Sequence, residues 1–95
     1  MVMMTLGDKL RQLREENQMA QRQVGAVIEV DGAFISKVEN NEKPIKRDHL
    51  KTLAKHFKIK EKELQTLWLA DKVRIILKDE PQAREVINLI ETDYR

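Results

Sequence analysis

The sequence is poor in the residue types that build cross-linked or turn-rich domains. Cysteine is absent, and the 95 residues include three glycines, two prolines and only 4% aromatic residues. Without cysteine there is no disulfide framework and no cysteine-ligated zinc site. Few glycines and prolines leave little material for the tight turns of a sandwich or barrel. The composition therefore favours one compact helical domain, since domains usually run to about 100 to 200 residues.

Long apolar runs are also missing. No stretch approaches the roughly 20 apolar residues that a membrane-spanning helix needs. The opening letters, MVMMTLGDKL, lack the charged start and long apolar stretch of a secretory signal. We therefore expect a cytoplasmic protein with no membrane partner.

Charge is nearly balanced in total but unevenly distributed along the chain. The net charge is +2, yet residues 43–62 carry eight lysines and arginines against two acidic residues. From residue 79 onward the balance reverses, with five acidic residues against two arginines. This asymmetry permits one surface that faces a polyanion and another that does not. Lysines that only solvate exposed helix faces would give the same pattern, so charge alone leaves both interpretations open.

Apolar periodicity and capping residues predict a succession of helices. The predicted helices are 6–17, 21–28, a third that begins after Asp31, a fourth that begins after Asp48, a fifth from Glu61 through Leu77, and a last one after Pro81. Thr5 and Asp8 form a capping box at the start of the first helix, with aspartate in the usual Glu/Gln position. Asp31 and Asp48 are N-cap residues for the third and fourth helices.

Residues 26–39, AVIEVDGAFISKVE, permit two interpretations. Asp31 and Gly32 between alternating apolar residues are a strong signal for a β-hairpin. Neither flank offers a third strand, however, and an isolated hairpin is only marginally stable in water. As a joint between two short helices, the same region turns one apolar set inward, namely Val24, Ile28, Val30, Ile35 and Val38. We therefore predict a helix joint in which Asp31 begins the third helix.

The helix joint and its flanks resemble the helix-turn-helix domain of Cro and phage-repressor type transcription regulators, the XRE family. The matching string is MAQRQVGAVIEVDGAFISKVENNEKP, preceded by LGDKLRQLREEN and followed by HLKTLAKHFKIKEKELQTLW. It carries the family's glutamine at the start of helix two, a small residue within it, Ile-Ser-Lys in helix three and Glu-Asn just after. The resemblance covers about residues 5–68. It implies an all-α fold, a five-helix lambda-repressor-like DNA-binding domain with a short C-terminal helical extension.

The resemblance also implies how the chain would contact double-stranded DNA. In this family the third helix enters the major groove and the start of the second lies against phosphates. The implied DNA-binding residues are Gln21, Arg22, Gly32, Ala33, Ser36, Lys37, Asn40 and Lys43. Gln21 would bind a phosphate, a role compatible with capping its helix. Asn40 and Lys43 would touch the flanking backbone.

The residues at the base-facing positions are Gly32, Ala33, Ser36 and Lys37, and they offer few hydrogen bonds. Ala33 could contact a thymine methyl group, and Lys37 could donate to guanine O6 or N7. An ordinary solvated helix face is the alternative for Ser36 and Lys37. We expect specificity to rest on few base contacts together with DNA shape.

Five further residues have structural roles implied by the family pattern. Arg14 and Glu39 match a salt bridge beneath the third helix, and two unrelated exposed charges are the alternative. Glu29, Asn41 and Lys58 stand where the family usually has glycine, near helix ends that need a left-handed backbone. Asparagine tolerates that conformation, whereas glutamate and lysine should each cost on the order of 1 kcal/mol.

Metal binding and catalysis find no support in the sequence. His49 and His56 lie seven residues apart and could share a helix face, but with no cysteine and only Asp48 nearby they form an incomplete ligand set. No glycine-rich phosphate loop, activated nucleophile pattern or paired carboxylates occur. We expect no metal, no cofactor, no small-molecule ligand and no enzymatic activity.

The residues after Trp68 exceed what a five-helix domain needs. We predict a DNA-binding domain over residues 1–68 and a helical extension over 69–95. Two short helices cannot bury both of their apolar faces against each other, so the extension should pack on its own domain or on a second chain. A symmetric dimer would match two-fold DNA. The predicted interface residues are Trp68, Val73, Ile76, Leu77, Val86, Leu89 and Ile90.

These observations favour a sequence-specific transcription regulator, a repressor or autoregulator that acts as a homodimer on a two-fold operator. Small members of the family that the chain resembles include phage repressors, restriction-modification controllers and antitoxins, and the sequence does not choose among them. The alternative is a protein-interaction module or antitoxin that retains the fold with weak or non-specific DNA binding. The poor hydrogen-bonding capacity of Gly32 and Ala33 keeps that alternative open.

Overall fold

The computed structural model describes residues 4–95, which fold into six α-helices and one short 3-10 helix. The helices are α1 (Leu6–Glu16), α2 (Gln21–Val27), α3 (Gly32–Glu39), α4 (Asp48–Phe57), α5 (Glu61–Leu77) and α6 (Ala83–Glu91), and the 3-10 helix spans Thr92–Tyr94. These residues include no strand, so 26–39 form the predicted helix joint and not a hairpin. The all-α prediction is confirmed. Residues 1–3, where the predicted domain begins, lie outside the described part.

Two of the three residues predicted to cap helix N-termini do so in the structure. Thr5 Oγ1 accepts from the Asp8 amide at 3.0 Å while the Asp8 carboxylate accepts from the Thr5 amide at 3.1 Å, which completes a capping box. Asp31 Oδ1 accepts from the Phe34 amide at 2.8 Å. The prediction for Asp48 is wrong. Arg47 already has a helical backbone, so Asp48 is the first helical residue, where its carboxylate favours the positive end of the helix.

The first four helices all end in the same backbone motif. After each helix one residue is left-handed, and these residues are Gln18, Glu29, Asn41 and Lys58, with φ of 53°, 61°, 62° and 57°. The amide that follows each one donates to the carbonyl five residues back, at distances of 2.8 to 3.0 Å. This pattern is a Schellman motif, which satisfies carbonyls that the helix end leaves open. The three positions predicted from the family pattern are confirmed, and Gln18 is a fourth.

The core lies between α1 and α5 and contains thirteen buried apolar residues among those described. They are Leu6, Leu10, Leu13, Val24, Ile28, Ile35, Val38, Ile45, Leu50, Leu53, Ala54, Phe57 and Leu64. Four of the five residues predicted to turn inward at the helix joint are therefore buried. The fifth, Val30, is half-buried and packs against the core.

Helix α5 runs without a break across the predicted division between residues 68 and 69. Beyond that point Asp71 accepts a hydrogen bond from the Leu6 amide at 3.0 Å, and Arg74 donates to the Met4 carbonyl at 3.1 Å. The first half of the predicted extension is thus bound to the start of α1. The end of α5 and all of α6 project away, and the radius of gyration of 14.8 Å exceeds the roughly 12 Å of a compact chain of this length. No described helix is long and apolar enough to cross a membrane.

Candidate nucleic-acid interface

The turn between α2 and α3 depends on a glycine that is not in the turn itself. A Cβ at Gly25 would collide with the Val30 carbonyl oxygen and lie 3.0 Å from that of Asp31. The Val30 amide donates to the Gly25 carbonyl at 2.9 Å, which draws the turn back against α2. The left-handed Glu29 makes this reversal possible. Gly25 and Glu29 together set the angle at which α3 leaves α2.

A buried ion pair supports α3 from beneath, as predicted. Arg14 Nε and Nη2 donate to the two Glu39 carboxylate oxygens at 2.7 and 3.1 Å, and Arg14 Nη1 donates to the Met19 carbonyl at 3.1 Å. The Glu39 side chain is only 3% exposed and that of Arg14 16%. The hydrogen bonds that Arg14 donates to Glu39 raise the pKa of Arg14 above its ordinary value, although burial opposes this shift. The guanidinium therefore stays charged and fixes the end of α3 to the end of α1.

Gln21, the first residue of α2, extends this ion pair. Its Nε2 lies 3.2 Å from Glu39 Oε1 and donates to it. The suggestion that Gln21 caps its helix is wrong, because the N-cap is Ala20 and the Ala20 amide donates to the Gln23 side chain at 2.6 Å. The Gln21 amide group thus has one described partner inside the fold. Phosphate binding by Gln21 stays a prediction.

The side chains predicted to meet DNA differ in exposure. Arg22, Ala33, Lys37, Asn40 and Lys43 are exposed, whereas Gln21, Gly32 and Ser36 are half-buried. Within residues 4–95, the side chains of Arg22, Ser36, Lys37, Asn40 and Lys43 make no hydrogen bond or ion pair. The outer face of α3 and its flanks therefore offer polar groups that the fold itself does not use.

Gly32 has a different environment from the neighbouring positions of α3. A Cβ at Gly32 would lie 3.0 Å from the Arg22 backbone nitrogen and 3.2 Å from its Cα. That separation is tighter than ordinary van der Waals contact, so position 32 faces the first turn of α2 rather than open groove space. The family pattern implies that Gly32 is one of the base-facing residues, and this contact with α2 is not evident from the sequence.

Trp68 belongs to the domain and not to an open extension. Its indole Nε1 donates to the Ile45 carbonyl at 2.7 Å, and the half-buried ring packs against the core. Lys72 Nζ lies 4.3 Å and Arg47 Cζ 5.5 Å from the ring centroid, within the range of cation–π attraction. The ring and these cations hold the loop before α4 against α5.

The remaining predicted interface residues lie on the projecting part of the chain. The end of α5 and α6 enclose an apolar groove of about 360 Å³, and its walls bring together Val73, Ile76, Leu77, Val86, Ile87, Ile90 and Glu91. Five of the seven predicted interface residues are thus neighbours. Leu89 lies outside the groove and is 73% exposed. Ile87, which the predicted set omitted, lines the groove because it falls one helical turn from Ile90 and Ala83.

The two histidines are separate. His49 is half-buried with no described partner for Nδ1, and His56 Nε2 lies 3.4 Å from the Met19 sulfur. In the described part of the chain no three histidine, cysteine or acidic side chains come together as metal ligands would.

A family model described as helix-turn-helix matches residues 10–64, more than half of the chain. The chain therefore belongs to the Cro and phage-repressor type of helix-turn-helix proteins, and it is a DNA-binding regulator of that class. No curated protein and no solved structure matches it.

Proposed function

We propose that the chain is a sequence-specific transcription repressor or autoregulator that binds a two-fold operator as a homodimer. The observation that carries the proposal is the outer face of α3, whose polar side chains are unused by the fold while the helix beneath is fixed by the Arg14–Glu39 pair. A rigidly held helix with unused donors suits readout of base edges in the major groove.

The proposed contacts divide by role. Lys37 is exposed on α3 and would donate to guanine, Ser36 is half-buried beside it, and Ala33 would contact a thymine methyl group. Asn40 and Lys43 lie at the end of α3 and in the loop that follows, where they would bind the flanking phosphates. Phosphate contacts position the protein, and the contacts from α3 supply the specificity.

The proposed dimer rests on the apolar groove. Ile76 on its α5 wall is 72% exposed and Ile87 on its α6 wall 52%. Burying a side chain of this size stabilises an association by about 1.5 to 3 kcal/mol. Charges of opposite sign also adjoin the apolar groove residues along the chain, because Lys72 and Lys78 flank those of α5 and the acidic Glu85 and Glu91 flank those of α6. A second copy of this chain is the occupant that fits both features.

Binding to DNA is the first test. The protein is titrated with its own upstream DNA and with scrambled DNA at several salt concentrations. We expect a preference on the order of a thousandfold or more that persists at physiological salt. Lys37→Ala should lower that preference, and Lys62→Ala, which removes an exposed lysine at the start of α5, should leave it unchanged. A steep salt dependence without a sequence preference would contradict the proposal, because it reports phosphate attraction alone.

Sedimentation is the test of the dimer. The wild-type chain should sediment as a dimer at high micromolar concentration, and Ile76→Asp should sediment as a monomer because a carboxylate would be buried in the interface. Asn88→Asp adds the same charge to the exposed side of α6 and is the matched control. A wild-type chain that stays monomeric would remove the dimer from the proposal while leaving DNA binding intact.

One specific observation favours a second function. The first two residues of α3, Gly32 and Ala33, carry no side-chain hydrogen-bonding group, and the groove of α5 and α6 presents apolar surface for a partner. A protein-interaction module or antitoxin with weak DNA binding would have both features. That candidate predicts the salt-dependent, sequence-independent outcome of the DNA titration.

A further inference from the structure

The first turn of α3 lacks a side chain where a reading helix needs one, and the first turn of α2 lies directly against the gap. In helix-turn-helix complexes the N-terminal residues of the reading helix contact base edges. Here the first of these, Gly32, has only hydrogen in the place of a side chain. A Cβ built on it would lie 3.0 Å from the backbone nitrogen of Arg22, 3.2 Å from its Cα and 3.4 Å from its Cβ.

The side chain of Arg22 therefore leaves its backbone in contact with the first turn of α3. It is exposed, and no hydrogen bond or ion pair within residues 4–95 engages its guanidinium. Its neighbour Gln21 turns the other way and donates to Glu39 beneath α3. The two residues thus differ in environment: Gln21 contacts the supporting ion pair, whereas Arg22 is exposed and its Cβ lies next to Gly32.

We infer that Arg22 reads a guanine in the major groove and supplies the base contact that Gly32 cannot make. The inference rests on the proposed function and assigns to an α2 residue a role that the sequence placed on α3. Arginine suits this position because its guanidinium donates two parallel hydrogen bonds to O6 and N7 of guanine. Gly32 allows the contact by letting the first turns of α2 and α3 approach within van der Waals distance.

A phosphate contact is the competing role for an exposed arginine at the start of α2, and the two roles leave different signatures. A base contact favours one base pair at one position of the site. Loss of a phosphate contact weakens binding to all sequences alike and reduces the slope of log affinity against log salt concentration by about 0.9.

The test selects preferred sites from duplex DNA with a randomised segment, using the wild-type chain, Arg22→Ala, Arg22→Lys and the control Arg11→Ala. Arg11 is an exposed arginine on α1 whose removal costs the same charge. We expect Arg22→Ala to lose the preference for guanine at one position in each half-site, by about 5- to 150-fold, with the other positions unchanged. Arg22→Lys should lose part of it, because an ammonium group cannot form the two-pronged contact.

Gly32→Ala provides a second, independent route to the same contact. The added methyl group would displace the Arg22 backbone, so this variant should weaken the same guanine preference and no other. Adding Gly32→Ala to Arg22→Ala should then cause little further loss, since the two residues form one contact. As a control, thermal unfolding is measured for each variant, and only variants that are folded are compared in binding.

The outcomes separate this inference from the proposed function. If Arg22→Ala and Arg22→Lys keep every base preference of the wild type and differ only in overall affinity, Arg22 binds phosphate and the inference fails, while sequence-specific binding stands. If the wild-type chain selects no preferred sequence, the proposed function fails and the inference fails with it.

Discussion

The two ends of the chain differ in whether their apolar side chains are buried. From α1 to the middle of α5, the described residues bury thirteen apolar side chains, and six of the large ones are almost completely inaccessible. In the last part of α5 and in α6 no residue is buried, and Ile75, Ile76 and Leu89 are each more than 70% exposed. Both regions are helical and both have strong apolar stripes. The difference is whether a partner surface exists within the same chain.

Polar contacts follow the same division. The Arg14–Glu39 pair in the domain is buried, joins residues 25 positions apart and has two further hydrogen-bonding partners, the Met19 carbonyl and the Gln21 side chain. The Glu91–Arg95 pair after α6 is exposed on both sides and joins residues four positions apart at 3.7 Å. Stability therefore resides in the domain, and the extension leaves its apolar residues exposed. Substitutions matched between the two regions measure this difference directly.

The largest difference is expected between two glutamates. Glu39→Ala leaves the Arg14 guanidinium without its carboxylate in a site that is largely closed to water, and we expect a loss of about 3 to 5 kcal/mol in the free energy of unfolding. Glu91→Ala should change it by less than about 0.5 kcal/mol, because its ion pair is solvated. Chemical denaturation followed by circular dichroism measures both. Similar losses for the two variants would contradict the division into a stable domain and a weakly held extension.

Two apolar residues give the next comparison. Leu53 is fully buried, and Leu53→Ala should cost about 2 to 5 kcal/mol through lost burial and the cavity left behind. Ile76→Ala should cost less than about 0.5 kcal/mol at low protein concentration, where the exposed side chain has no partner. At high concentration the cost of Ile76→Ala should rise, because the proposed dimer is what buries it. A large cost that does not depend on concentration would place Ile76 inside the monomer.

The sequence predicted features whose physical cause is local. The capping box of Thr5 and Asp8 spans three residues, and the Asp31 cap likewise acts within one turn. The left-handed positions at Glu29, Asn41 and Lys58 came from the family register. Short-range signals of this kind are sufficient to place helices in order and to resolve the ambiguity between hairpin and helix joint.

Apart from the Arg14–Glu39 pair, which the family pattern implies, the sequence does not predict contacts between distant residues. The Leu6 amide donates to Asp71, 65 residues away, and this contact binds the middle of α5 to the domain. Trp68 is one of the residues predicted for the dimer interface, and the hydrogen bond from its indole Nε1 to the Ile45 carbonyl, 23 residues away, is not evident from the sequence. The periodicity of apolar residues does not reveal such hydrogen-bonded pairs, because each of these residues would also be suitable on an exposed helix face.

The roles of the glycines show the same limit within the candidate site. The family pattern implies glycine where the backbone is left-handed, yet all three glycines have negative φ, and five left-handed positions at helix ends hold other residues. A Cβ at Gly7 would collide with the Val38 carbonyl oxygen at the crossing of α1 and α3, and one at Gly25 with the Val30 carbonyl oxygen, whereas a Cβ at Gly32 would come no closer than 3.0 Å to its nearest neighbour. These glycines are required by close approach of backbones, which depends on helix crossings that the sequence does not display.

The smallest expected effect compares two left-handed residues, Glu29 in the domain and Asp79 between α5 and α6. Both have φ close to +60°, where a side chain costs about 1 kcal/mol relative to glycine. Glu29→Gly should raise the melting temperature, by about 4 to 8 °C for each kcal/mol gained in a domain of this size. Asp79→Gly should leave it unchanged in dilute solution, because the strain it relieves lies in a turn leading to a helix with no buried residue. Thermal unfolding of both variants measures the two effects. An unchanged or lower melting temperature for Glu29→Gly would mean that the joint before α3 needs its glutamate side chain. A higher melting temperature for Asp79→Gly would mean that α6 unfolds together with the domain.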